Sequence, residues 1–96
     1  MAQPNIDVVD NPDQHRYEAR DADGTVLGFS AYRRSGETVL FTHTEVDDAQ
    51  EGKGVGSVLV RGALDDVRRA GGKIRPLCPF VKEYVDRHEE YADLVE

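Results

Sequence analysis

The sequence predicts an α/β (α+β) fold: one mixed, mostly antiparallel sheet that carries a βαβ unit and two main helices. Three observations lead there. Residues 25–46 contain two runs with strand-like character, separated by Ser35-Gly36. From Gly54 the apolar period lengthens, so that Val55, Val58, Leu59, Ala63 and Val67 recur at helical spacing. Between these regimes stands Glu51-Gly52-Lys53-Gly54-Val55-Gly56, with glycine at every second position.

Residues 1–14 hold two prolines among Asp and Asn residues, which predicts a flexible lead-in; Ile6, Val8 and Val9 suffice for a brief edge strand. The rest, 15–96, reads as a single domain. Residues 15–20 form a short strand, and Asp21-Ala22-Asp23-Gly24 is a turn by composition. In 25–34, Leu27, Phe29 and Ala31 alternate with smaller or polar neighbours, a strand with one buried face, and Ser35-Gly36 closes a hairpin. Residues 37–46 are the most β-prone, and Val39-Leu40-Phe41 is apolar on both faces, as in a central strand. Alternation puts His43 and Glu45 on one face and Thr42, Thr44 and Val46 on the other.

An acidic loop, 47–51, leads into the glycines. The helix that follows ends at Gly71-Gly72, with Arg68 and Arg69 at the negative end of its dipole. Residues 73–77 form a short strand containing Pro76, which offers no N–H to a ladder, so the strand lies at an edge or splays from its neighbour. Cys78-Pro79 opens a second helix, with proline at its first position. Phe80, Val81, Tyr84, Val85 and His88 form its inward stripe, and 89–96 add one or two helical turns. The crossover through the first helix makes a right-handed βαβ unit.

A chain of 96 residues supports one small core, and with 39% hydrophobic residues and no Trp that core is lean and aliphatic. A formal charge of −7 argues against nucleic acid or an anionic membrane as general partners, since both select a basic surface. An anionic ligand must then bind through local geometry and a few cations such as Lys53. Cys78, the single cysteine, cannot pair internally, which favours a reducing compartment. With no signal-like start and no apolar stretch near about 20 residues, the expectation is a cytoplasmic protein. A monomer or weak homodimer is expected, because small sheets with an exposed edge often pair.

The glycine run points to chemistry. Glycine lets the chain turn tightly and bring backbone N–H groups against a ligand. The helix behind it presents unpaired N–H groups and its positive dipole end, together a site for phosphate or pyrophosphate. The plainer reading is a tight turn with close helix–sheet packing. A dinucleotide fingerprint would need glycine where Ser57 stands, and a P-loop would need Lys then Ser or Thr after the last glycine. Cys78, at a helix N-terminus, is either a small buried packing residue or a thiol activated by its position. His43 or Glu45 could serve as a base near neutral pH, His43 needing the smaller shift. The histidines at 15, 43 and 88 have no metal-site spacing, and no metal is expected.

A central strand, an acidic loop, the alternating glycines and an edge strand that splays resemble the acyl-CoA-binding core of the GNAT superfamily of N-acetyltransferases. A group of very short GNAT-like proteins is similar over roughly residues 15–94. Its stretches appear here as Phe41-Thr42-His43-Thr44-Glu45-Val46, Gly52-Lys53-Gly54-Val55-Gly56 and Leu77-Cys78-Pro79-Phe80-Val81, then Arg87-His88 and Tyr91. The resemblance implies acetyl-CoA as co-substrate and an amine acceptor, a small molecule or a peptide lysine. It implies that Val46 meets the pantetheine arm and that the backbone of Gly52, Lys53, Gly54, Val55, Gly56 and Ser57 meets the pyrophosphate. It also implies that Tyr84, otherwise a core aromatic, faces the departing thiolate. The family pattern Q/R-x-x-G-x-G has Glu51 at its first position here, with Lys53 the nearby positive charge. The two helices that lie between the first strands of longer relatives are missing, so the acceptor site is more open. Transfer would run directly in a ternary complex, or through Cys78. The alternatives are a non-catalytic CoA-binding sensor or interaction module, and a nucleotide-binding module.

Overall fold

Strand alternation in the first half and helical spacing in the second build two layers. The computed structural model describes residues 6–50, 52 and 54–96. The sheet has five strands in sequence order, β1 (Asp7–Asn11), β2 (Arg16–Arg20), β3 (Val26–Ser35), β4 (Thr38–Val46) and β5 (Lys73–Pro76). The first four pair antiparallel, and β5 joins β4 in parallel after the crossover helix α1 (Val55–Arg69). Helix α2 (Pro79–Arg87) and a 3₁₀ segment, Glu89–Leu94, complete the chain. The predicted α+β architecture, mixed sheet and two main helices are all present.

Both helices pack against one sheet face. Tyr17, Ala19, Leu27, Tyr32, Val39 and Phe41 point towards Val55, Leu59, Val60, Ala63, Leu64 and Val67 of α1 and Val81 and Val85 of α2. Gly62 lets α1 approach β1 closely: a Cβ there would lie 2.6 Å from Val8 Cβ. Residues 7–11, within the stretch read as a lead-in, are thus an edge strand seated on the helix.

The outer face has no helix over it among the described residues, and charged side chains shield it instead. Glu18 is only 2% exposed, held by Arg16 Nε at 2.7 Å, Arg20 Nε at 2.9 Å and Asn11 Nδ2 at 3.1 Å. Burial pushes its pKa up, but the hydrogen bonds from Arg20, Arg16 and Asn11 outweigh that and hold it below the ordinary carboxylate value. The Arg16 guanidinium also lies 4.6 Å from the Phe29 ring centroid, so its arm covers apolar surface that a helix would otherwise bury.

Simple alternation along β4 fails at one point. Tyr32 pairs with Phe41 and Ala31 with His43, leaving Thr42 as a bulged extra residue. Phe41 therefore points into the core while His43, two residues on, is exposed on the outer face. The expected grouping of Thr42 with Thr44 and Val46 is corrected accordingly: Thr42 is exposed and donates its hydroxyl to the Ala31 carbonyl at 3.4 Å. At the far edge, Val95 bridges to Ile74 and the Glu96 N–H donates to the Ile74 carbonyl, which covers β5. Tyr91 secures this C-terminal segment by donating to Asp65 at 2.7 Å; burial and that carboxylate push its phenol up to about 12.

Candidate functional site

The site begins where β4 and β5 part. Their pairing runs only from Thr38–Lys73 to Phe41–Pro76, and Cys78 N–H makes a last bond to the Phe41 carbonyl at 2.9 Å. Pro76 has no N–H to continue the ladder, and Pro79 then commits the chain to α2. From Thr42 to Val46, β4 has no strand partner on that side among the described residues, which leaves main-chain donors and acceptors open along the gap.

Beyond Val46 the chain makes a 3₁₀ turn, Asp48–Gln50, and then the glycine loop. Gly52 and Gly54 have φ of 79° and 77°, a left-handed backbone that a side chain would strain. Gly54 is the N-cap of α1 and carries no side chain to cap it; no described side chain accepts from the amides of Val55, Gly56 or Ser57, and the first turn has no acidic residue. These three residues line a groove of about 300 Å³ between the end of β4, the loop and Phe80 of α2.

Val46, Gly52, Gly54, Val55, Gly56 and Ser57 all border this groove. Lys53 and Glu51 lie outside the described residues. Gly56 serves packing as well as access, because a Cβ there would meet the Phe80 ring at 2.4 Å. Phe80 was expected on the inward stripe of α2. It is instead 43% exposed and forms a wall of the groove, since the ring lies over Gly56 rather than under the helix. Asp47 and Asp48 also line the groove, a negative contribution that sequence reading placed only in a loop. A neighbouring cleft of about 100 Å³ shares Ser57 and Phe80 and adds Glu83, Tyr84, Arg87 and His88.

Tyr84 is mostly buried, and burial pushes its phenol pKa up. Its ring stacks on His88 at 3.9 Å, and the His88 Nδ1–H donates to the Tyr84 carbonyl at 2.7 Å, which fixes the imidazole. Cys78 is 3% exposed at the base of the strand gap, and its thiol donates to Thr44 Oγ1 at 3.4 Å. Thr44 Oγ1 lies 2.9 Å from Ser30 Oγ. This part-buried triplet has no signal in the sequence, where three small polar residues on three separate elements carry no shared pattern.

His43 and Glu45 are joined on the outer face, Nε2 to Oε2 at 2.8 Å, both well exposed. Thr44, between them in sequence, points the other way to Cys78, so the pair and the thiol lie on opposite faces of β4. Glu45 borders an outer cleft of about 430 Å³ with Arg16, Phe29 and Gly28, and that cleft shares Val46, Asp47 and Asp48 with the helix-side groove. The two meet around the open end of β4. Among the described residues no cluster of three His, Cys, Asp or Glu side chains could hold a metal, and no helix is long and apolar enough to cross a membrane.

This architecture has solved counterparts. It is similar to the solution structure of a GCN5-like protein from Staphylococcus aureus that is assigned as an N-acetyltransferase, with TM-score 0.72 and 24% identity over 96% of this chain and 89% of that one. An assigned acetyltransferase from Agrobacterium tumefaciens matches with TM-score 0.52 and 17% identity, over 93% of this chain and 61% of that one. Nourseothricin acetyltransferase matches with TM-score 0.50 and 19% identity, over 76% of this chain and 58% of that one. At these identities the likeness is one of fold. No curated protein matches the sequence. The family model described as GCN5-related N-acetyl-transferase matches residues 16–94, a span that takes in β2 to β5, the glycine loop and both helices. Through that match, the chain belongs to the GCN5-related N-acetyltransferase family.

Proposed function

We propose that this protein is an acyl-CoA-dependent N-acyltransferase that moves an acetyl group from acetyl-CoA to an amine. One observation carries the reading: the uncapped first turn of α1 opens onto a groove that runs to the unpaired stretch of β4. No described side chain caps the amides of Val55, Gly56 and Ser57, which leaves them available to a diphosphate, and Gly52 and Gly54 hold a left-handed backbone that a side chain would strain. Val46 and its neighbours on β4 offer main-chain groups for an amide-containing arm laid along the strand. Acetyl-CoA would supply the activated thioester.

The acceptor side is the outer cleft. Glu45 lines it and is bonded to His43, so the pair can take a proton from an amine approaching around the end of β4. Glu45 is the member that lines this cleft, and His43 bonded to it would orient it. Direct transfer in a ternary complex fits better than an acyl-cysteine. The Cys78 thiol is buried and engaged with Thr44, and the helix-side groove is bordered by Phe80 rather than by the sulfur.

A second reading, a domain that binds CoA without appreciable turnover, is favoured by the carboxylates of Asp47 and Asp48 in the groove. Calorimetric titration with acetyl-CoA, followed by mass-spectrometric assay of acetylation on a panel of diamines and lysine peptides, separates the readings. The transferase reading requires both saturable binding and acetylated product. Binding with no product across the panel favours the second, and absence of binding to CoA ends both.

A further inference from the structure

Thr44 stands at the open stretch of β4 with two neighbours on its hydroxyl, and counting protons gives that hydroxyl a task. Ser30, Thr44 and Cys78 bring three hydrogens, one each, to two contacts: Ser30 Oγ to Thr44 Oγ1 at 2.9 Å, and Cys78 Sγ to Thr44 Oγ1 at 3.4 Å. One hydrogen is left over. Ser30 is fully buried, at 0% exposure, and its hydroxyl makes no other hydrogen bond among the described residues, so its O–H points at Thr44 to be satisfied. The thiol of Cys78, 3% exposed, likewise points at Thr44. With both lone pairs of its oxygen filled, Thr44 must donate its own hydrogen elsewhere.

Of the three, only Thr44 keeps appreciable solvent access. It also lies where β4 has lost its β5 partner, on the same face as Val46, which borders the groove. The leftover donor is therefore unclaimed at the stretch of β4 beyond its pairing with β5.

We propose that Thr44 is the side-chain hydrogen-bond donor to the thioester carbonyl oxygen, held in that orientation by Ser30 and Cys78. This rests on the acyltransferase reading and adds a residue to it. In the step it serves, the neutral amine nitrogen attacks the carbonyl carbon, a C–N bond forms, and the carbonyl π pair moves onto the oxygen that Thr44 contacts. The pair then returns, the C–S bond breaks, and sulfur leaves with its electrons. The amine proton passes to the Glu45–His43 pair, and a proton from solvent neutralises the thiolate. A donor pre-aimed at the developing oxyanion stabilises it without reorganisation.

The test uses acetyl-CoA labelled with ¹³C at the carbonyl, read by infrared difference spectroscopy on the full chain, alongside steady-state kinetics. On binding to the unaltered protein the carbonyl stretch should move to lower frequency. Thr44→Val should abolish that movement and lower kcat by about 100-fold, with acetyl-CoA affinity changed by less than about threefold; Thr44→Ser should restore both. If Thr44→Val does not fold, Thr44→Ala, which adds no bulk, takes its place. A carbonyl shift that persists in either variant, or a loss confined to KM, overturns the assignment while leaving the transferase reading in place. Failure of the unaltered protein to bind acetyl-CoA overturns both.

Discussion

Replacing Gly56 with alanine separates the two duties of the glycine loop. The added Cβ would sit 2.4 Å from the tip of the Phe80 ring, against the roughly 3.4 Å of ordinary contact. The ring must swing outward by about 1 Å, and its 43% exposure leaves room for that. Alanine improves helix propensity by up to ~1 kcal/mol. Loss of contact over a few tens of Å² of apolar surface costs about 1 kcal/mol. These terms nearly cancel, so the melting temperature should move by no more than about 5 °C. The groove does not escape so lightly, because Phe80 and Gly56 both line it. A displaced wall should weaken acetyl-CoA by about tenfold, or ~1.4 kcal/mol. Calorimetry and a thermal melt on the same preparation read both quantities. Unchanged affinity beside an unchanged melt would mean that Phe80 and the α1 amides do not line the acyl-CoA site.

Three further perturbations follow from the same geometry. Glu18→Gln removes the carboxylate bridging Arg16 and Arg20; because both arms are partly solvated, the loss at neutral pH should be about 1–2 kcal/mol rather than the full value of a buried pair. The folded pKa of Glu18 is depressed, so its contribution is present above the unfolded pKa and is lost as pH falls through the folded one. Urea melts below neutrality should thus show a shallower acid decline in Glu18→Gln, and an identical decline would remove the linkage. Cys78→Ala should cost less than about tenfold in kcat, and intact-mass spectra of the unaltered protein with acetyl-CoA should show no acetyl adduct; an isolable adduct at Cys78 would restore the covalent route. Glu45→Gln should lower kcat by about 100-fold, and an undiminished kcat would place the base elsewhere.

Most of the fold was legible because local periodicity and punctuation agreed. Val39-Leu40-Phe41 marked the central strand, Val55 to Val67 the crossover helix, and Pro76 the point where β5 parts from β4. The bulge at Thr42 was not legible, since one extra residue in a β-prone run leaves the composition unchanged while reversing which residues face inward. The burial of Glu18 was equally hidden. A carboxylate between two arginines reads as a solvated edge, and only the absence of a helix over that face turns it into a covering layer. At the candidate site the glycine loop was readable from its spacing, whereas Phe80 was misread because helical periodicity cannot foresee an aromatic that turns back onto a glycine of another helix. The Ser30–Thr44–Cys78 contact depends on three elements meeting in space, and no single stretch of sequence encodes it.

The central claim is that main-chain amides at the start of α1 receive the diphosphate of an acyl-CoA. Backbone amide resonances followed by two-dimensional NMR during titration with CoA test it residue by residue. The largest shifts should fall on Gly54, Val55, Gly56 and Ser57, with smaller ones along Thr44 to Val46, and they should be absent with pantetheine alone at the helix end. Saturating CoA that leaves those four amides unmoved, or that perturbs the outer face around Glu18 instead, would contradict the account.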